Sequence, residues 1–195
     1  ATKLNDLNVL ISGGLSSMKM ASETLGSAEL FSIATREFYR TGDMITPRFG
    51  HNAILLLDNT ALITGGFIID DRESKVSISS AEIYDPSSGT WSVTGSMNDP
   101  RRWASATVLE DGRVLVAGGS DVTKTGGSAF ITAEIYDPNS GSWSSISPMM
   151  EEHYGQSAAY VGGKVILFGE FVAEIYDPAT GTWSSGGVPA VPRRG

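Results

Sequence analysis

The sequence predicts an all-β protein assembled from four copies of a unit of four short strands. Three observations carry this expectation. A four-residue phrase recurs as Ala28-Glu29-Leu30-Phe31, Ala81-Glu82-Ile83-Tyr84, Ala133-Glu134-Ile135-Tyr136 and Ala173-Glu174-Ile175-Tyr176, at intervals of 53, 52 and 40 residues. Ten residues after each opening alanine stands a large aromatic: Phe38, Trp91, Trp143 or Trp183. Upstream of each phrase an apolar run ends in glycine, at residues 9–14, 62–66, 114–119 and 165–169. Self-similarity at this period marks a repeat architecture in which no single unit can bury a core alone.

The third copy shows the elements in order. Residues 104–109 form strand a, and Glu110-Asp111-Gly112 is the turn that follows. Strand b covers residues 113–117, strand c residues 132–136 and strand d residues 142–145. Strands b are continuous apolar runs, as expected when both faces of a sheet are buried. The glycines that close them suit a strand end where the backbone takes positive φ or passes close to a neighbour. The connection from c to d reads Asp85-Pro86-Ser87-Ser88-Gly89, Asp137-Pro138-Asn139-Ser140-Gly141 and Asp177-Pro178-Ala179-Thr180-Gly181. Asp accepts from backbone donors two residues on, Pro presets φ, and Gly supplies a left-handed residue. The first copy has lost this chemistry and reads Ser32-Ile33-Ala34-Thr35-Arg36. Holding Arg36 left-handed there would cost about 1 kcal/mol.

The apolar run closed by Gly-Gly, with a Tyr and a Trp at fixed offsets, resembles the kelch repeat. The fuller phrase Ala-Glu-Ile-Tyr-Asp-Pro-x-x-Gly-x-Trp resembles its bacterial variety. The resemblance covers nearly the whole chain. It implies a β-propeller of four-stranded antiparallel blades, with strand a nearest the axis and strand d outermost. Blades are expected over residues 1–46, 47–99, 100–151 and 152–195. Kelch propellers usually have more than four blades. The first residues align with the inside of a strand a, and Pro192-Arg193-Arg194-Gly195 aligns with Pro100-Arg101-Arg102-Trp103. The four units are therefore expected to be part of a larger propeller, or to complete a ring with another copy through their end blades. A closed four-bladed ring is the third arrangement.

Composition narrows the function classes. The net charge of −8 argues against nucleic acid or an anionic membrane as the main partner. No apolar run approaches the roughly 18 residues of a membrane span, so no membrane insertion is expected. With no cysteine, the chain lacks thiolate ligands and thiol nucleophiles. The resemblance extends to galactose-oxidase-like enzymes, whose copper–radical site uses two His, two Tyr and a Cys crosslinked to one Tyr. Without a cysteine that site is incomplete here. No nucleophile elbow, phosphate loop or zinc-binding His-Glu-x-x-His appears, so no catalytic residue, metal or cofactor is expected. The compartment is left open, leaning towards a secreted or cell-surface location.

The repeated glutamates resemble a ring of carboxylates, but a residue present in every copy normally serves the scaffold. Each lies on strand c between neighbouring blades, where a buried carboxylate needs a partner. Arg48 and Arg101, at the start of the next strand a, are the expected ones. The repeated tyrosines and tryptophans read as packing residues. His51 and His153 fall near the axis at slightly different phases, and structural roles suit them better than a shared metal site. Asp70-Asp71-Arg72-Glu73 has oxygen ligands for calcium but matches no EF-hand spacing.

Recognition is expected where the copies differ. The b–c connections are long and dissimilar at residues 15–27, 67–80 and 120–131, while the fourth has three residues, Glu170-Phe171-Val172. In such a blade the b–c and d–a connections share one face, and variable loops on a rigid scaffold are the usual site of binding. That face carries Arg48, Arg72, Arg101, Arg102, Trp103, Lys124 and Tyr154 as candidate contacts, since Arg with aromatics suits an interface hot spot. The expected function is a non-catalytic module binding a protein or a glycan. The alternatives are part of a kelch-type enzyme, an oxidase or sugar epimerase with its catalytic residues elsewhere, or a structural subunit of an extracellular assembly.

Overall fold

The structure, a computed structural model, describes residues 1–16, 23–70, 72–123, 129–169 and 171–191. Among these residues the chain forms four four-stranded antiparallel sheets and one two-stranded hairpin, with no helix. Blade one runs β1 (Thr2–Lys3), β2 (Asn8–Ser12), β3 (Ala28–Ser32) and β4 (Glu37–Arg40). Blade two begins with β5 (Asn52–Leu55) and β6 (Ala61–Thr64), interposes hairpin strands β7 (Phe67–Ile69) and β8 (Lys75–Ser77), and ends with β9 (Ala81–Asp85) and β10 (Thr90–Thr94). Blade three is β11 (Ser105–Val108), β12 (Val114–Ala117), β13 (Ala133–Asp137) and β14 (Ser142–Ser145). Blade four is β15 (Ser157–Val161), β16 (Lys164–Phe168), β17 (Ala173–Asp177) and β18 (Thr182–Gly187). Each blade sheet keeps the order a-b-c-d, so short turns suffice within it.

The β7–β8 hairpin lies inside a connection read from the sequence as a loop. The apolar run Phe67-Ile68-Ile69 precedes Asp70 and alternating Val76 and Ile78 follow it, and the Asp70 Oδ1 accepts from the Arg72 and Ser74 amides at 2.9 and 2.8 Å. That Asx-type turn closes the hairpin and gives the Asp70 carboxylate a structural task.

The core lies between blades rather than within them. Leu4, Leu10, Ala28 and Met44 pack against Ala61, Ile63 and Tyr84 at the first junction. Leu56, Leu62, Ala81 and Met97 meet Val114, Val116 and Tyr136 at the second. Leu115, Ala117, Ile135 and Met149 meet Val165, Leu167 and Tyr176 at the third. Alternate residues of one strand thus serve two neighbours, which is why β6 and β12 are buried throughout and apolar apart from Thr64. In β16 only alternate positions are buried, because one face of blade four has no neighbouring blade among the described residues.

The repeated aromatics also hydrogen-bond across these junctions. The Tyr84 and Tyr136 hydroxyls pair with Thr41 and Thr94 Oγ1, each at 2.7 Å. The Trp91, Trp143 and Trp183 indoles donate to the carbonyls of Gly42, Gly95 and Ser147 at 2.6, 2.8 and 2.9 Å. In blade one the equivalents are Phe31 and Phe38, which have no such donor.

The c–d turn survives in blade one despite its changed sequence. Arg36 takes φ 61°, beside 69°, 67° and 70° for Gly89, Gly141 and Gly181. Its amide donates to Ser32 at 2.8 Å, as Gly89 does to Asp85. Blade one therefore keeps the turn while carrying the steric cost of a left-handed arginine.

Candidate functional site

The d–a connections begin with a structural device. Glu82 accepts the Ile45 and Thr46 amides at 2.7 and 2.9 Å and the Arg48 guanidinium at 2.7 Å. Glu134 accepts the Asn98 and Asp99 amides at 2.7 and 3.1 Å and Arg101 at 2.9 Å. Glu174 accepts the Met150 and Glu151 amides at 2.8 and 3.0 Å, with His153 Nε2 at 2.8 Å. Arg48 also donates to the Gly65 and Ser80 carbonyls, and Arg101 to those of Gly118 and Thr132, tying down the two ends of a long b–c connection. In blade four that connection is short and closes on itself through Gly169 N–H to Val172 O at 3.0 Å, so a histidine suffices.

This geometry corrects the list of expected contacts. Arg48 and Arg101 are 0% and 1% exposed, and their polar ends are consumed by the scaffold. They support the face of the b–c and d–a connections from beneath and are closed to solvent. The sequence pointed to arginines as the partners but placed them on the strand a that follows each glutamate. The structure instead pairs Arg48 with Glu82 and Arg101 with Glu134, each glutamate with the arginine that precedes its own blade.

The residue after each buried basic side chain, Arg48, Arg101 or His153, points the other way. These residues are Phe49, Arg102 and Tyr154, and the next positions are Gly50, Trp103 and Gly155. All three of the latter are left-handed, with φ 68°, 50° and 65°. They link in series around the axis: Trp103 N–H donates to Gly50 O at 2.9 Å, and Gly155 N–H to Trp103 O at 3.1 Å. Trp103 thus holds a conformation that its two counterparts reach with glycine, and such an outlier is a pointer to function.

The Trp103 side chain gathers a cluster. Its ring stands edge-on to Phe49, Phe67 and Tyr154 at centroid distances of 6.5, 6.3 and 5.2 Å. The Arg102 guanidinium lies 4.1 Å over the Trp103 ring and within 6 Å of Phe67 and Tyr154. Backbone pairing fixes the base, since Phe49 bridges Phe67, and Arg102 bridges Ser120. Arg102 Nε donates to Ser120 Oγ at 3.2 Å, leaving its terminal nitrogens with no partner among the described residues. Tyr154 is 47% exposed and borders two grooves beside blade four, of about 840 and 440 Å³.

Of the expected contacts, Arg102, Trp103 and Tyr154 are brought together. Arg72 is exposed in the turn of the hairpin whose first residue, Phe67, joins the cluster. Lys124 lies outside the described residues. Phe49 and Ser120 were not expected. Aligning the copies at Arg48, Arg101 and His153 would have found Phe49, because it shares the register of Arg102 and Tyr154.

Comparison with known proteins agrees with this architecture. The kelch motif model matches residues 52–98 and 106–150. The chain contains kelch repeats. Its four blades superpose on the solved structure of YjhT with a TM-score of 0.73, covering 93% of this chain and 66% of that one at 13% identity. The fold is thus a kelch β-propeller. The chain is also 28% identical over 121 residues to F-box/kelch-repeat protein At1g67480 of Arabidopsis thaliana, covering 61% of this chain and 30% of that protein. It is 24% identical over 169 residues to Kelch-like protein 26 of Danio rerio, covering 86% and 27% respectively. The chain therefore spans less than a third of the length of these curated relatives.

Within the kelch scaffold the two histidines serve different blades. His153 holds Glu174, while His51 Nε2 lies 3.3 Å from Ser12 Oγ, across the first junction. Burial above all, then the positive charges of Arg48 and the amino terminus, pushes the His51 pKa down from 6.5 to about 4. Between those values the folded chain binds fewer protons at this site than the unfolded one. Its contribution is therefore complete above pH 6.5 and falls as the pH drops towards 4. The expected loss is at most about 3 kcal/mol. Urea unfolding at neutral pH and near pH 5 should show a smaller drop for His51→Gln than for the parent chain, glutamine being the residue at this register in blade four.

Proposed function

We propose that this kelch propeller is a non-catalytic binding module that receives a protein partner on the face of its b–c and d–a connections. Arg102, Trp103 and Tyr154 form the centre of that surface, with Arg72 on the neighbouring hairpin. The observation that carries the reading is Trp103, held left-handed at φ 50° where Gly50 and Gly155 stand in the flanking blades. A scaffold role would be met by glycine. The indole instead assembles an arginine–aromatic cluster of the kind that dominates interface energetics. Two curated relatives carry kelch repeats within much longer proteins, which suits a recognition domain.

A protein is favoured over a glycan by the way the rings meet. Sugar stacking needs an open ring face. Here the Trp103 face is covered by Arg102 at 4.1 Å, and the neighbouring rings meet it edge-on. Ring edges and a guanidinium whose terminal nitrogens have no partner among the described residues suit a peptide surface offering carbonyls or carboxylates.

The test uses a peptide selected from a random displayed library on the intact chain. Its affinity is then measured by calorimetry for the parent, Trp103→Gly and Arg102→Ala. Each substitution is expected to weaken binding at least tenfold, about 1.4 kcal/mol or more. Trp103→Gly also relieves the left-handed strain, so its thermal midpoint should stay within a few degrees of the parent. Unchanged affinity in both variants would sink the reading, as would a peptide crosslinking to the opposite, c–d turn face.

A further inference from the structure

We infer that the partner presents an acidic segment, with one carboxylate seated on the terminal nitrogens of Arg102 and with Lys75 and Arg72 flanking it. The inference rests on the binding face proposed above and names the chemistry which that face selects. Its basis is the distribution of charge. The chain has 22 acidic side chains and 14 lysines and arginines, so a cation without an anionic neighbour stands out. Among the described residues Lys3, Arg40, Arg48, Arg101, Arg113 and Lys164 each form an ion pair. The described lysines and arginines that form none there are Arg36, Arg72, Lys75 and Arg102. Arg36 belongs to the c–d turn of blade one, on the opposite face. The other three belong to the β7–β8 hairpin and to the d–a connection that enters blade three.

Two of these cations meet at one ring. The Arg102 guanidinium and Lys75 Nζ each lie 5.7 Å from the centre of Phe67. Phe67 is 1% exposed, so both rest on a fixed base. Lys75 pairs with Ile69 in the hairpin, which puts it on the same side as Phe67. Arg102 is held at Nε by Ser120 Oγ at 3.2 Å and lies 4.1 Å over Trp103, which leaves its terminal nitrogens as a preorganised fork.

The acids nearest in the chain are engaged in their own turns. Asp70 Oδ1 accepts the Arg72 and Ser74 amides, and Asp121 Oδ1 accepts the amide and hydroxyl of Thr123 at 2.9 and 2.7 Å. Glu73, at φ 60° in the hairpin turn, is exposed and forms no ion pair among the described residues. A guanidinium set against aromatic rings is partly dehydrated, and an anion brought by a partner offsets that cost. The fork matches a carboxylate with two parallel hydrogen bonds, a match that a neutral carbonyl cannot give. The complementarity is local. The aspartates of the c–d turns lie on the opposite face, and screening beyond about 8 Å in physiological salt weakens their repulsion of an acidic partner.

The test starts from peptides selected on the intact chain and measures two forms of each by calorimetry. One is the selected sequence, and the other replaces every Asp and Glu by Asn and Gln. Acidic sequences are expected to dominate the selection and to bind at least about tenfold more tightly than their amide forms. Lys75→Gln should weaken the acidic form at least about threefold and leave both the amide form and the thermal midpoint unchanged. Raising the salt from about 50 to 500 mM should weaken the acidic form alone. Equal affinity of the two forms overturns the inference, as does a Lys75→Gln loss shared by both. A peptide without carboxylates that loses affinity in Trp103→Gly also overturns it, while the proposed face stands. A selection in which no peptide responds to Trp103→Gly removes the face and the inference together.

Discussion

Arg101→Ala is expected to destabilise the chain by about 3–5 kcal/mol, seen as a large fall in the urea midpoint. The guanidinium is 1% exposed and serves five acceptors: the carbonyls of Gly118 and Thr132, Thr132 Oγ1, Asp99 Oδ2 and Glu134 Oε1. Truncation leaves Glu134 buried with its charge unpaired and unties both ends of the third b–c connection. Glu134→Gln should cost less, because an amide oxygen can still accept from Asn98 or Asp99 while Asp99 remains 3.2 Å from Arg101. Replacing both partners by leucines is often neutral for a simple buried pair. Here it should remain destabilising, since the Asn98 and Asp99 amides would lose their acceptor at about 1–3 kcal/mol each. A double-mutant result near the parent's stability would show that the ion pair, and not the capped connection, is what the junction needs.

The repeat made the scaffold legible. Strand d of blade three spans the expected residues, and its other strands fall within one residue of the expected bounds, because apolar period and turn chemistry agree there. The role of the repeated glutamate was legible for the same reason, since a residue present in every blade serves what every blade has, a junction. The site was harder to read. Arg48, Arg101 and Arg102 are one residue type at adjacent registers, and composition cannot say which of them points inward. That decision comes from strand c of the same blade, whose Glu82 or Glu134 claims the first arginine and leaves the second outside. Trp103 was suggested as a contact by its chemistry, but its left-handed backbone could be known only from the coordinates. Phe49 escaped because a phenylalanine beside an arginine resembles packing until the three connections are laid over one another.

Gly65→Ala is expected to cost about 3 kcal/mol or more, although it adds one methyl group. Gly65 has φ 69°, and a left-handed alanine alone costs about 1 kcal/mol. The larger part comes from packing. A Cβ at this position would be driven into the backbone carbonyl of Arg101 in the next blade and would meet Met97 Cε at 3.1 Å. That carbonyl is fixed, because it accepts the Gly66 amide at 2.8 Å and lies on the residue whose guanidinium is locked against Glu134. Gly14 and Gly119 make the same bond to Arg48 and His153 at 3.0 and 2.9 Å, so each glycine pair is a slot for the next blade's connection. Gly181→Ala separates the two contributions. Its φ is 70°, but a Cβ there meets nothing within 4 Å, so only the backbone cost of about 1 kcal/mol should appear. Equal losses for the two alanines would mean that the glycine pair is kept for its backbone angle alone. The expected gap of about 2 kcal/mol ties it to the close approach of neighbouring blades, which seats the d–a connections and with them the Trp103 cluster.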